Sequence, residues 1–170
     1  MMKSALMILL FVFPFQPRLE IEEIRKMFYL AAESSDKAKD FQETLKQIDE
    51  SNPLLLGYKG MAEMIMAKHS YNPVSKVTFF RRGKAFLEKA IELDPKNAEL
   101  RYLRFSLQSN APSFLNYNDD LDKDKAVIID YLTSAGAVAR DLDLETRMKA
   151  FIKESDYFSN KEKNLIKNQS

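Results

Sequence analysis

From Leu19 onward, apolar residues recur every three or four positions in block after block, a spacing that restricts the chain to helices. The first block runs from about Leu19 to Glu33, with Ile21, Ile24, Phe28 and Ala31 on one face. Ser34, Ser35 and Asp36 interrupt it, and Ser35 or Asp36 is suited to cap the next helix. That helix, about Lys37 to Asp49, carries Ala38, Phe41, Leu45 and Ile48 on one stripe. Asn52-Pro53 is a strong start signal, a capping amide followed by a residue whose fixed φ suits the first turn. The third helix, about Pro53 to Lys68, aligns Leu54, Tyr58, Met61 and Ile65, with Leu55, Ala62 and Met66 beside them. Gly57 and Gly60 weaken an isolated helix, so they predict the close approach of another helix backbone.

Asn72-Pro73 repeats the start signal ahead of a long helix, about Val74 to Leu93. Val77, Phe80, Leu87 and Ile91 form one apolar line on it, and Phe79, Phe86 and Leu93 another. Together they cover about half the circumference, wider than the stripe of a surface helix. This predicts contact with two neighbours, with Gly83 and Ala90 on a close-packed side. A helix from about Ala98 to Gln108 turns Leu100, Leu103 and Leu107 inward. A loop containing Pro112 runs from Ser109 to about Asp122. Then comes a helix of about Lys123 to Ala139, with Val127, Ile128, Tyr131, Leu132, Ala135 and Val138. Asp143 is placed to cap a shorter helix ending at Glu154, which buries Met148, Phe151 and Ile152. Ser159 and Glu162 form a capping box before a polar last helix with Leu165 and Ile166. The expected fold is all-α, a single domain over 19–170 with about three helix pairs and short C-terminal capping helices.

Composition narrows the functional classes. Four glycines in 170 residues are too few for a β-rich or Gly-loop nucleotide-binding fold. Without cysteine there is no disulfide, thiolate zinc site or cysteine nucleophile. With 26 Lys+Arg against 25 Asp+Glu, the chain lacks the basic excess that nucleic-acid binding requires. Residues 1–18 differ from the rest. Lys3 precedes an unbroken apolar run from Ala5 to Phe13, closed by Pro14 and Pro17. This pattern predicts a secretory signal, since a bilayer span takes about 20 apolar residues. The plainer alternative is an apolar segment packed on the domain; no small-x-small cleavage site follows, so an uncleaved signal would stay as a membrane anchor. The expected location is outside the cytoplasm, periplasmic or tethered, with membrane contact only through this segment.

The stretch Ala90-Ile91-Glu92-Leu93-Asp94-Pro95-Lys96-Asn97-Ala98-Glu99, followed by Tyr102, resembles the boundary between two tetratricopeptide repeats. Gly83, Leu87 and Ala90 stand where that family places small, large apolar and small residues before the proline. Pro95 ends one helix and Asn97 caps the next. The match covers about 25 residues. It departs elsewhere: Gly57 and Gly60 lie 38 and 35 positions before Pro95, against about 24 in a 34-residue repeat. After Asn97, Arg101, Arg104 and Phe105 replace the family's aromatic, leucine and small residue. The resemblance implies a right-handed stack of antiparallel helix pairs that presents a binding surface and no chemistry.

Phe79-Phe80-Arg81-Arg82 and Arg101-Tyr102-Leu103-Arg104-Phe105 interleave basic and aromatic residues. By the resemblance, Arg101 and Arg104 line a concave surface with Tyr58 and Lys59, a groove for a carboxylate or an extended peptide. The plainer reading is a solvated face over buried aromatics. His69, the only histidine, ends a helix and belongs to no catalytic motif. Asn118, Asp120, Asp122 and Asp124 alternate like a calcium loop, but Lys123 and Ile129 stand where glycine and glutamate are required. Met61, Met64 and Met66 read as core before binding surface. No cofactor or metal site is expected. The leading expectation is a non-catalytic protein-binding module. The alternative is an envelope hydrolase using a carboxylate pair such as Glu63 with Glu88 or Glu92.

Overall fold

The computed structural model describes residues 20–134 and 141–168. The expectations for residues 1–18, and for Ala135 and Val138, lie outside the described residues. Within them the chain forms eight α-helices and no strand. They are α1 (Ile21–Glu33), α2 (Ser35–Thr44), α3 (Pro53–His69), α4 (Pro73–Leu93), α5 (Ala98–Asn110), α6 (Leu121–Thr133), α7 (Leu142–Glu154) and α8 (Asn160–Lys167). A single 3-10 turn, Ser113–Leu115, lies between α5 and α6.

The start signals act as predicted. The side chains of Asn52, Asn72 and Asn97 each accept from two backbone N–H groups of the helix that follows. Ser159 and Glu162 close the capping box of α8. Two caps differ from expectation. Ser35 already lies in α2, preceded by a Ser34 whose side chain makes no capping bond. At α7 the cap is Asp141, which accepts from Leu144 N–H at 3.0 Å, while Asp143 pairs with Arg147 inside the helix.

Helix α3 packs against α1, α2, α4 and α5, and α5 packs in turn against α4 and α6. At the α3–α4 crossing, a Cβ on Gly60 would stand 2.8 Å from the Gly83 carbonyl oxygen. A Cβ on Gly83 would stand 2.7 Å from that of Gly60, so the two backbones touch where side chains are missing. The buried residues form two clusters. One gathers Ile24, Phe41, Leu56, Met61, Leu87 and Leu100 from α1 to α5. The other gathers Tyr102, Phe105, Ile128, Leu132, Met148, Ile152 and Ile166 from α5 to α8. Helix α5 serves both, so it is buried on nearly every side, well beyond the predicted Leu100, Leu103 and Leu107 stripe.

Helix α4 departs the other way. Its buried residues are Gly83, Leu87, Ala90 and Ile91, whereas Val77 and Leu93 are 42% and 51% exposed. The predicted half-circumference face is therefore not buried along its whole length. In the first half, Phe79 lies beside the Arg82 guanidinium and Phe80 meets the ring of Tyr117. Val74 and Val77 remain exposed there, next to Tyr71. Met61 and Met64 are buried, and Met66 packs on the same core, as the core reading predicted.

Candidate functional site

Most of the buried polar groups converge on α5; Glu63 of α3 instead meets Gln42 and Arg82. Glu99, in its first turn, is 4% exposed. Its two carboxylate oxygens accept from Nε and Nη2 of Arg25 on α1, both at 2.7 Å. Tyr58 of α3 donates its hydroxyl to the same carboxylate at 2.6 Å. The remaining Arg25 nitrogen, Nη1, donates to Asp141 at the start of α7, also at 2.6 Å. Planar fork-to-fork pairing of this kind is the strong form of charge-assisted hydrogen bond. The Glu99 carboxylate raises the pKa of Arg25 further, against the opposing effect of burial. Burial and then Glu99 push the Tyr58 phenol well above its usual range.

One turn along α5, Arg104 is 4% exposed. Its Nε and Nη2 donate to the two oxygens of Asp124 on α6, each at 2.7 Å, and Nη1 donates to Glu88 on α4 at 2.6 Å. Asp124 is fully buried and takes a third bond from Arg101 Nη1 at 2.9 Å. Arg101 spends its other donors on the Pro95 carbonyl. Tyr117 donates to the second oxygen of Glu88 at 2.5 Å. Burial, then Glu88, raises its phenol as well.

The predicted groove residues are therefore not gathered in one open groove. Arg104 and Tyr58 are buried in two separate networks, and Arg101 is bound to Asp124 and Pro95. Lys59 pairs with Glu50 at 2.7 Å over the ring of Phe86. Arg82 is half exposed, pairs with Glu63 at 2.7 Å and stacks on Phe79. Arg81 is exposed beside it. Buried carboxylates occupy the arginine forks that a ligand carboxylate was expected to fill.

Of the candidate carboxylates, Glu92 is exposed, whereas Glu63 and Glu88 are held as firmly as the arginines. Glu63 accepts from Gln42 and Arg82, while Glu88 accepts from Arg104 and Tyr117. His69 Nε2 lies 2.9 Å from the Ala31 carbonyl and Lys68 donates to the Ala32 carbonyl at 2.8 Å. A carbonyl only accepts, so His69 Nε2 carries a proton. Together the two side chains satisfy open carbonyls at the C-terminal end of α1, where positive charge is favoured. Asp120 and Asp124 of the alternating loop turn toward arginines. Among the described residues, no group of three or more acidic or histidine side chains is placed to hold a metal ion.

Sequence reasoning missed Arg25, Glu99, Asp124 and Asp141. The signal existed in their helical phase. Arg25 falls between Ile21 and Phe28 on the apolar face of α1. Asp124 precedes Ile128 and Leu132 at steps of four, and all three are buried. A charge on an apolar stripe calls for a buried partner.

The described residues also line surface clefts. One, of about 340 Å³, lies among Ser109, Asn110, Phe151, Glu154 and Tyr157. Another, of about 430 Å³, lies between α7 and α8 and is lined by lysines. No helix among the described residues is long and apolar enough to cross a membrane. No family model matches the chain, and no curated protein and no solved structure matches it.

Proposed function

We propose that this chain is a non-catalytic interaction module of the cell envelope, built as a tetratricopeptide-like stack of helix pairs. The pairs are α1–α2, α3–α4 and α5–α6, with α7 and α8 covering the end of the array. The observation that carries this reading is the order of helix contacts. Helix α3 touches α1 and α2 of the preceding pair, and α5 touches α3 and α4 in the same pattern. Each pair buries its apolar face on the next, which is how helical repeats build a continuous core.

The preference for binding over catalysis rests on how the ionisable groups are used. A general base needs a lone pair aimed at a substrate proton. Glu63 and Glu88 spend theirs on neighbouring side chains, and the His69 ring is tied down by donating its Nε2 proton to the Ala31 carbonyl. Exposed groups such as Tyr71, Val74, Val77 and Arg81 are suited to contact a protein partner. The placement in the envelope, periplasmic or tethered, rests on the apolar run in residues 1–18.

The test is co-purification of the full-length protein from its own membranes after mild cross-linking, read by mass spectrometry. Repeated recovery of the same few proteins is the expected result. Recovery of nothing above background, with turnover of a cell-wall substrate that Glu63→Gln or Glu88→Gln abolishes, overturns the proposal.

A further inference from the structure

The apolar side chains that this protein leaves outside its two cores are not spread evenly. Leu30 is 51% exposed, Tyr71 101%, Val74 75%, Val77 42% and Phe114 80%. Contacts place them at one end of the helix stack. Lys68 and His69 bond the Ala32 and Ala31 carbonyls, which sets Leu30 beside the α3–α4 turn that carries Tyr71. Phe80 and Lys84 meet the ring of Tyr117, which sets the 3-10 turn with Phe114 beside the first half of α4. Residues 73–82 of α4 include none that is buried. From Met64 to Leu87 the sequence holds no carboxylate, while Lys68, Lys76, Arg81, Arg82 and Lys84 all fall within it. Arg82 pairs with Glu63. Lys76 and Arg81 are exposed and meet no carboxylate among the described residues. Carboxylates lie at the flanks: Glu33 and Asp36 follow Leu30, with Asp36 paired to Lys39, and Asp119 and Asp120 follow Tyr117, with Asp120 paired to Lys123.

We propose that this end of the stack docks on an anionic membrane surface, a second membrane contact that rests on the envelope placement read from residues 1–18. The occupant follows from chemistry and shape. The exposed apolar groups come from separate segments and each stands out singly, so they offer tips and not a groove. A bilayer interface accepts such tips one by one, whereas a folded partner must supply a matching surface. Val74, Val77 and Arg81 share one face of α4 at i, i+3 and i+7, as on a helix that lies on a membrane with its cation reaching for lipid phosphates. Tyrosine favours headgroup depth, with its ring toward the acyl chains and its hydroxyl in water. Uncompensated lysine and arginine add an attraction for anionic lipid that falls off within a Debye length. A second copy of this chain fits poorly, because pairing like ends sets cations against cations.

The chain has no tryptophan, so Val74→Trp in the full-length protein adds a single indole at this end. Leu93→Trp adds one at the far end of α4, also exposed and about 28 Å away along the helix. Each variant is mixed with vesicles of phosphatidylcholine alone or with added phosphatidylglycerol, with brominated acyl chains as quencher. The indole at position 74 is expected to shift to the blue and be quenched on phosphatidylglycerol vesicles, and the one at position 93 is not. The effect is expected to weaken between about 50 and about 300 mM salt. Adding Lys76→Glu and Arg81→Glu is expected to lower the ratio of lipid-contacting to free indole at least about tenfold, with unchanged helical circular dichroism and unfolding midpoint. An indole at position 74 that stays in water, equal shifts at both positions, an equal response to neutral vesicles, or indifference to the charge reversal overturns the proposal. So does a shift produced by co-purified proteins and not by lipid, which gives this end to a protein partner. If the protein sediments with vesicles while the indole at position 74 stays in water, the docking assignment falls and the envelope reading stands. A protein that neither sediments with vesicles nor fractionates with its own membranes loses both.

Discussion

Arg25 and Glu99, 74 positions apart in sequence, meet as two parallel bonds of 2.7 Å inside the protein, with both side chains about 4–5% exposed. The pair ties α1 to α5. The third nitrogen of Arg25 reaches Asp141 at 2.6 Å and brings in the start of α7. A buried ion pair is a poor source of net stability, because desolvating both charges consumes most of the Coulomb gain. Its value lies in geometry: the fork accepts one relative placement of α1, α5 and α7, whereas an apolar contact tolerates sliding.

Breaking this pair on one side is therefore worse than removing it whole. Arg25→Met leaves the Glu99 carboxylate buried with only Tyr58 as donor, and a loss of about 3–5 kcal/mol is expected. Glu99→Leu strands the guanidinium with Asp141 and is expected to cost a similar amount. The double variant is expected to lose less than either single one, measured by urea unfolding. Additive losses across this cycle would mean that the two groups are not energetically coupled.

Gly60 and Gly57 separate two kinds of close approach. A Cβ at position 60 meets backbone, the Gly83 oxygen at 2.8 Å and the Leu87 nitrogen at 3.0 Å. A Cβ at position 57 meets the end of the Leu100 side chain at 2.3 Å. A side chain repacks more readily than two crossing helices separate. Alanine also gains about 1 kcal/mol of helix propensity at either site. Gly60→Ala is expected to destabilise by about 1–3 kcal/mol, and Gly57→Ala by clearly less. Thermal unfolding of the two variants side by side decides it, and a reversed order would sink the account.

These glycines, the three asparagine caps and the capping box of α8 were legible because each is a local rule with a local cause. Helix α5 was legible on one face only. Periodicity reports where apolar residues align, and the second buried face of α5 is interrupted by Glu99, Arg104 and Gln108, which are buried through partners. Arg101 and Arg104 have the spacing of an exposed basic face. Their partner Asp124 lies 20 positions beyond Arg104 and follows a loop, so no window around either arginine names it. On α4 the two apolar lines were visible, but how much of them is covered depends on the neighbouring helices. Asp124 itself was the readable clue to the second network, through its phase with Ile128 and Leu132.

Acid tests the outer member of the first network. Asp141 keeps a pKa below the usual carboxylate range: burial works against this, and the Leu144 N–H and the Arg25 guanidinium outweigh it. Asp120 is also held low, by Lys123 and Arg104 against burial. A carboxylate with a depressed folded pKa contributes stability that is present above its unfolded value and lost as pH falls through the folded one. Stability is expected to decline as pH drops below about 4. Asp141→Asn keeps a capping side chain for α7 but removes the titrating group. Its unfolding midpoint should fall less steeply with pH over that range than that of the wild type. An identical slope would show that Asp141 is not linked to folding.

Alkali tests the interior from the other side. Tyr58, Tyr102 and Tyr117 all have phenols raised above their ordinary pKa, in each case by burial first. Glu99 adds to the effect at Tyr58, Tyr29 at Tyr102 and Glu88 at Tyr117. A group whose folded pKa is raised contributes stability that is complete below its unfolded value, here about 10, and is lost as pH rises past it. The native state is expected to hold these three protons more tightly than free phenols do. Titration of phenolate absorbance should then show three of the seven tyrosines ionising only in a cooperative step, coincident with the loss of helical circular dichroism. Tyr58→Phe removes one donor to Glu99, at a cost of about 1–3 kcal/mol. It should also shorten that cooperative step by one phenolate. Smooth ionisation of all seven before any helix is lost would mean that water reaches the Glu99 and Glu88 networks in the native state.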